Sequence, residues 1–345
     1  IVGVTGTRGK STTTYLIWQI LKTKFGSHVH YGGNIRRSVL GILPEIKKDD
    51  LVVLELSSFQ LMDLAVEKKS PAVAVLTNIM RDHLNWHRDM REYREAKSAI
   101  FRYQHAGDTL FIPVGDDALR RLAAKAPGRV SEVRLPVALQ GAVDRNLGAH
   151  YRPAAALAAG VARHFGVAPA AIARAITAFK GLESRQHGIG DVRGVHFVDD
   201  TTATIPDAAI VALRRFRGRA GSAHRLILIA GGQDKKLDFG AMIAEMKKSA
   251  DDVVLLPGSA TERMLRELRS KNPRSRASSL RGRQESGAKM LKADSMREAV
   301  RIAFGLAKKG DYILLSPGAA SFGFFLNEFD RGEQFARAVK ALHRK

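Results

Sequence analysis

Four side chains, Lys10, Glu55, His83 and Lys97, are of types and in surroundings that could transfer a phosphoryl group. Lys10 closes the run Gly6-Thr7-Arg8-Gly9-Lys10-Ser11-Thr12, which follows the apolar residues 1–4 and opens an amphipathic stretch over 12–25. In such a turn the backbone N–H groups of Gly6, Thr7 and Gly9 converge on phosphate oxygens, and the following helix N-terminus adds partial positive charge. Lys10 then reaches the terminal phosphates, and Ser11 or Thr12 can hold Mg²⁺. Val4 breaks the longer G-x-x-x-x-G-K-[ST] spacing, so the match is to the shorter G-T-x-G-K-[ST] form. A glycine turn capped by serine also occurs where nothing binds. The order strand, Gly-x-x-Gly, Lys-Ser, helix favours the phosphate reading.

Glu55 ends the apolar run 51–56, where a strand beside the phosphate-loop strand can present a carboxylate to bound Mg²⁺. Read without Lys10, it is a strand-end glutamate meeting solvent. Residues 72–79 form another near-continuous apolar run, of the kind that a parallel sheet buries on both faces. It leads into Asp82-His83-Leu84-Asn85-Trp86-His87, which places His83 at a strand end as a metal or phosphate contact. Met90, Tyr93, Arg94, Ala96, Lys97, Ile100 and Phe101 read as a helix, on which the pattern alone makes Lys97 a solvated lysine.

The elements that must carry these groups alternate. Leu16, Ile17, Ile20 and Leu21 share one helical face, with Lys22 and Lys24 in the last turn, where cations suit the dipole. Residues 153–165 and 169–179 are alanine-rich helices opened by proline. Between them and the first half, 108–148 reads as a less regular stretch punctuated by Pro and Gly. Residues 181–194 are glycine-rich and irregular, so the boundary falls there: 1–182 an ATP-binding domain with a parallel sheet, 183–345 a smaller Rossmann-like α/β domain. Closure on ligand makes 181–194 an expected hinge. In the second half, apolar runs at 195–198, 226–230, 253–256 and 312–315 alternate with helical patterns, and 271–292 is expected to be a mobile surface stretch.

Composition bounds the rest. The 345 residues suffice for two cores, and no apolar run approaches the 18 residues of a spanning helix. The chain opens inside a strand without an initiator Met, so an upstream part is expected. The absence of Cys excludes disulfides and thiolate metal sites. A net charge of +22 attracts nucleic acid, membranes and anionic substrates alike, and does not choose among them.

The motifs taken together resemble the Mur ligases. They are the phosphate loop, Gly32-Gly33-Asn34-Ile35, Leu54-Glu55-Leu56-Ser57-Ser58-Phe59-Gln60-Leu61, and Asp82-His83-Leu84-Asn85-Trp86-His87 through Tyr93 to Lys97. Further on come Gly181-Leu182 with Arg185, Asp200-Thr201-Thr202-Ala203-Thr204, Gly231-Gly232-Gln233-Asp234-Lys235, and Leu315-Ser316-Pro317 through Ser321 with Arg331-Gly332. The resemblance spans nearly the whole chain in order.

It implies an ATP-dependent, ADP-forming amide ligase of peptidoglycan-precursor synthesis. The Ser-Ser-Phe-Gln-Leu form implies addition of D-glutamate to UDP-N-acetylmuramoyl-L-alanine. In the family ATP phosphorylates the alanine carboxylate, the amine of D-glutamate attacks the acyl phosphate, and amide and phosphate form. The resemblance gives Ser11 and Glu55 to a first Mg²⁺, His83 to a second, and a carbamate to Lys97, making it an acidic metal ligand. It sets Asn34, Ser57 and Phe59 against the muramoyl substrate. His150, Arg185 and Asp200 fall to the nucleotide, and Thr204, Lys235, Ser321 and Phe329 to D-glutamate. Lys235 also reads as a solvated lysine beside Lys236, and Glu328 competes with Phe329 for one alignment position. The resemblance further implies a cytoplasmic monomer with no specific nucleic-acid partner and no membrane insertion.

Three departures stand out. Tyr151 and Ala154 replace two asparagines that hold the adenine side, where Tyr151 could stack on a base instead. Thr202 replaces a lysine, and the N-terminal domain that binds uridine diphosphate is not represented. Two alternatives have different substrates: another ligase of this fold, acting on folate or amidating a lipid-linked precursor, and a basic nucleic-acid-dependent ATPase.

Overall fold

The computed structural model describes residues 1–35, 37–82, 86–270 and 289–343. The chain divides into two compact units, Ile1–Lys180 and Gly181–Lys345.

In the first unit β1 (Val2–Thr5), α1 (Lys10–Phe25), β2 (Val29–Gly33), α2 (Val39–Ile42), β3 (Leu51–Glu55), α3 (Ser58–Val66) and β4 (Val73–Leu76) come first. They are followed by α4 (Met90–Arg102), β5 (Thr109–Pro113), α5 (Asp117–Ala123), β6 (Arg129–Val133), α6 (Val137–Asn146), α7 (Arg152–His164) and α8 (Pro169–Ala178). The strands form one sheet in the order β2-β3-β1-β4-β5-β6, every pair parallel. The central strands β1 and β4 are buried along their whole length, as expected of apolar strands covered on both faces. The chain leaves β1 toward β2, and β4 lies on the other side of β1. The crevice at the carboxyl ends of β1, β3 and β4 is therefore a topological switch point.

The second unit contains β7 (His187–Val192), β8 (Val195–Asp199), α9 (Pro206–Ala220), β9 (Leu226–Gly231), α10 (Gly240–Ser249) and β10 (Asp252–Leu256). Then come α11 (Ser259–Ser270), β11 (Lys289–Lys292), α12 (Met296–Leu306), β12 (Tyr312–Leu315) and α13 (Glu328–Leu342). Its sheet runs β11-β10-β9-β12-β8-β7, parallel except for β7, which pairs antiparallel with β8 at one edge. Two apolar clusters fill the two faces. Leu228, Leu255 and Leu314 meet α9 and α10 on one side, and Ile227, Val254 and Ile313 meet α12 and α13 on the other.

Three sequence expectations change. Residues 108–148 are regular, holding β5, α5, β6 and α6; β6 is an edge strand with four of its five side chains outside the buried class, so it carries no apolar run to betray it. The glycine-rich 181–194 is half strand: β7 lies in the sheet, with a register shift at Gly188 and Gly190, and six of the residues expected to hinge are held in a hairpin. Of 271–292, the last four residues form β11, paired with β10, and 271–288 lie outside the described residues.

Candidate active site

The first unit brings Lys10, Ser11, Glu55, Ser57 and Lys97 to the carboxyl ends of β1 and β3, beside that of β4. Gly9 is the N-cap of α1 in a left-handed conformation (φ 76°) and, having no side chain, gives the first-turn amides no cap bond of its own; the first turn has no acidic residue. By contrast, Ser57 closes a full capping box on α3, and Asp89 caps α4. The end of β4 holds the loop in shape. The Thr7 amide donates to the Asn78 carbonyl (2.9 Å), and the Arg8 amide to Asn78 Oδ1 (2.9 Å). Thr77 Oγ1 and Asn78 Nδ2 both donate to the Arg8 carbonyl, at 2.6 and 3.1 Å. Gly6 (φ 148°) passes so close to Thr77 that a Cβ would run into its hydroxyl. Lys10 Nζ donates to the Thr7 carbonyl (3.0 Å), folding its ammonium over the loop. Ser11 and Thr12 are buried in the first turn.

Glu55 is paired in register with Val4 of β1 and Gly33 of β2. It is 2% exposed; Oε1 accepts from Asn34 Nδ2 at 3.4 Å, and Oε2 has no hydrogen-bond partner. A buried carboxylate oxygen left without a partner is costly, and it suits a hard cation. That donor chemistry fits Mg²⁺.

Lys97 is not the solvated lysine that its helix pattern suggested. It is 2% exposed, with Nζ 3.5 Å from Thr5 Oγ1 and 4.8 Å from the centre of the Tyr93 ring. Burial, and then the charge of Lys10, hold its pKa well below the ordinary lysine value, against the pull of Asp82 and Glu55. Tyr93, one turn earlier on α4, places its hydroxyl 3.1 Å from Thr7 Oγ1, and burial raises its pKa. Ser57 and Phe59 stand at the start of α3. His83 lies outside the described residues. His150 sits in the 3₁₀ turn before α7 with its ring 4.5 Å from that of Tyr151. Tyr151 is buried, so it offers no open face to a base.

In the second unit the candidates follow the carboxyl ends of β8, β9 and β12. Asp200 is buried: Ser316 Oγ donates to its Oδ2 (2.7 Å), and the Gln186 amide to its Oδ1 (3.2 Å). Burial pushes its pKa up to about 7, with Ser316 opposing and Asp199 adding to the rise. Arg185 precedes β7, close enough to lower that pKa electrostatically. Thr204 follows in the same loop as Asp200, its amide donating to the Thr202 carbonyl (2.9 Å). Gln233 and Ala320 exchange backbone hydrogen bonds (2.9 and 3.1 Å), which brings the loop of Lys235 beside that of Ser321. Lys235 is half-buried and Ser321 is buried. Phe329 lies in the first turn of α13, whose cap, Asn327, accepts from its amide (2.9 Å).

Reading by motif gave no role to Thr77, Asn78, Tyr93 or His87, and quoted Arg331 only as part of a motif. Thr77 and Asn78 had a signal, since they directly follow a buried strand on the ligand edge. Tyr93 falls four residues before Lys97, on the same helical face.

Residues 4–139 match the Mur ligase middle domain, and residues 184–318 match the Mur ligase, glutamate ligase domain. The chain is 37% identical to the UDP-N-acetylmuramoylalanine–D-glutamate ligase of Roseiflexus sp., covering 99% of this chain and 76% of that protein. It belongs to the Mur ligase family. A second ligase of that name, from Acetivibrio thermocellus, is 35% identical over 99% of this chain and 74% of its own length. Mur ligases are ATP-dependent, ADP-forming ligases of peptidoglycan-precursor synthesis. The fold also matches the Thermotoga maritima MurF ligase in complex with ADP, with a TM-score of 0.70 at 16% identity over 99% of this chain and 80% of that one. The E. coli FolC complex with ADP gives 0.65 at 18% identity, over 99% of this chain and 89% of that one. No helix among the described residues is long and apolar enough to cross a membrane.

Proposed function

We propose that the chain joins D-glutamate to UDP-N-acetylmuramoyl-L-alanine, with ATP as the co-substrate that activates the alanine carboxylate and Mg²⁺ as the counter-charge. The observation that carries the reading is the convergence of an uncapped helix N-terminus, Lys10, the half-satisfied Glu55 and the buried Lys97 at one sheet edge. With the Thr7 and Arg8 amides engaged by Asn78, the first-turn amides of α1 and Lys10 are assigned to bind and orient the phosphates, a positioning and electrostatic task. Ser11 and Glu55 are assigned to one Mg²⁺, and His83 and Lys97 to the other. Burial favours the uncharged form of Lys97, whose lone pair is then open to add to CO₂. The N–C bond forms, the nitrogen gives up a proton, and the amine becomes a carbamate whose negative charge suits a metal where an ammonium would be repelled.

Asn34, Ser57 and Phe59 are assigned to the muramoyl side and His150, Arg185 and Asp200 to the nucleotide. Thr204, Lys235, Ser321 and Phe329 are assigned to D-glutamate, with Lys235 as the cation for its side-chain carboxylate. The reaction uses nucleotide-linked substrates, so we assign the chain to the cytoplasm as a monomer, to be checked by gel filtration. The test is phosphate release from Mg-ATP, omitting each substrate in turn. Release is expected to need both substrates, to disappear on chelation of Mg²⁺, and to fall at least about 100-fold in Lys10→Ala, the usual scale for loss of a transition-state charge contact. Release that proceeds without D-glutamate, or that nucleic acid stimulates, would sink the reading.

A further inference from the structure

A line of side chains runs from the phosphate loop to the start of α3 through His87, a residue with no role in the reading above. Thr7 Oγ1 meets Tyr93 Oη at 3.1 Å, and the Tyr93 ring packs 5.2 Å from the His87 imidazole. Nε2 of His87 lies 3.0 Å from Ser58 Oγ, and the same imidazole stacks on Phe59 with centroids 5.8 Å apart and planes 9° from parallel. The outer ring, Trp86, meets Phe59 edge-on at 5.4 Å. His87 and Ser58 are 1% and 2% exposed, so the imidazole is a fixed part of the interior.

The hydrogen bonding of the ring is one-sided. Nδ1 is buried without a partner. A buried N–H without an acceptor is worse tolerated than an unused lone pair, which assigns the proton to Nε2 and makes Ser58 Oγ its acceptor. Burial lowers the pKa of the ring, in keeping with a neutral imidazole. A phenylalanine would fill the same space and stack on Phe59 without the stranded Nδ1, but it would take from the buried Ser58 Oγ its imidazole partner. What the imidazole adds is the bond to Ser58.

We infer that His87 is a positioning residue: it locks Ser58 and Phe59, and with them the substrate-facing start of α3, at a fixed distance from the phosphate loop. The inference rests on the reading of α3 as the muramoyl side of the site. His87 touches no reacting atom. It acts through Ser58, whose hydroxyl it bonds, and through Phe59, whose ring it holds from beneath while Trp86 holds it from the edge.

The test uses the full chain as His87→Phe, which keeps the stack and deletes the bond, and His87→Gln, which returns a donor near the Nε2 position. The expected result for His87→Phe is a KM for UDP-N-acetylmuramoyl-L-alanine raised about tenfold, with kcat and the KM for ATP changed less than about twofold, as loss of substrate positioning predicts. His87→Gln is expected to recover part of that affinity. An unchanged KM, or an equal rise for all three substrates, overturns the inference.

The second readout needs no turnover. In a Trp18→Phe background Trp86 is the remaining tryptophan, and its emission anisotropy in the absence of substrate is expected to fall in His87→Ala, which removes the stack, as Phe59 loosens, and to hold in His87→Phe, which keeps it. If the wild-type chain does not ligate, the proposed function fails. The anisotropy alone then decides whether His87 holds Phe59.

Discussion

Asp200 places an acid where water does not reach, and the consequence is a pH dependence of the fold itself. Its ordinary value is 3.8, and burial raises it to about 7. As pH rises the unfolded chain sheds this proton first, so the native state holds more protons than the unfolded state between those values. The stability associated with Asp200 is therefore fully present below about pH 4 and is lost as pH climbs toward 7. Asp200→Asn removes the titration. Its Oδ1 can still accept from Gln186, and its amide can donate to the Ser316 hydroxyl. We expect the unfolding temperature of the variant to match wild type near pH 4, to exceed it increasingly up to pH 7, and then to run parallel. At about 1.36 kcal/mol per pKa unit, the gain is at most about 4 kcal/mol. A difference independent of pH would show that the carboxyl is already ionised in the native state at low pH.

Among the elements, the phosphate loop is shaped by two glycines with different constraints. Gly6 needs both its positive φ and its missing Cβ, because Thr77 Oγ1 and the Asn78 backbone occupy the space beside it. Gly9 needs only its left-handed φ, since nothing lies within 4 Å of where its Cβ would be. Alanine at Gly9 is expected to cost about 1–2 kcal/mol, the price of a left-handed backbone with a Cβ, and to keep the thermal stabilisation by Mg-ATP. Gly6→Ala is expected to abolish that stabilisation, because the loop must move off Thr77. Equal behaviour of the two variants would contradict the close approach.

The same elements show what could be read from residues alone. Buried parallel strands such as β1, β4 and β9 are continuous apolar runs, so they and the loops at their ends were legible. So was Glu55 at the end of β3. The edge strands β6 and β7 were not, because a strand with an open face has no need of apolar side chains and tolerates glycine. Lys97 was misjudged on pattern because a helical wheel reports which face a residue is on, not what covers that face. Its burial comes from β1 and Tyr93, contacts distant in sequence or invisible to a count. The capping network of Thr77 and Asn78 joins residues about 70 apart, and only the sheet order brings them together.

For the whole molecule, each described apolar cluster belongs entirely to one unit. The cluster of Leu61, Ile100 and Leu110 lies in the first, and the clusters around Leu228 and Ile313 lie in the second. Each unit thus has the core of an independent domain. Chains of residues 1–180 and 181–345, produced separately, are expected to give α/β circular dichroism spectra and cooperative melts. A first unit that unfolds without its partner would show that the division is one of contacts only. The net charge of +22 spreads over both units with arginines widely scattered, and the proposed anionic substrates engage only a few of them.

Arg331 has a consequence for anyone redesigning the second unit. Its guanidinium is fully buried, and burial lowers its pKa to about 10. It donates to Thr201 Oγ1 (3.1 Å), to the Thr201 carbonyl (2.7 Å) and to the Ala319 carbonyl (3.1 Å). One side chain from α13 therefore fastens the loop after β8 to the loop after β12. Those two loops are a single transplantable part: a graft that exchanges the segment around Ser321 to admit a different amino acid has to bring its matching Thr201 segment and its own anchor from α13, or the new loop keeps its backbone ties to Gln233 but loses the buried clamp that Arg331 provides.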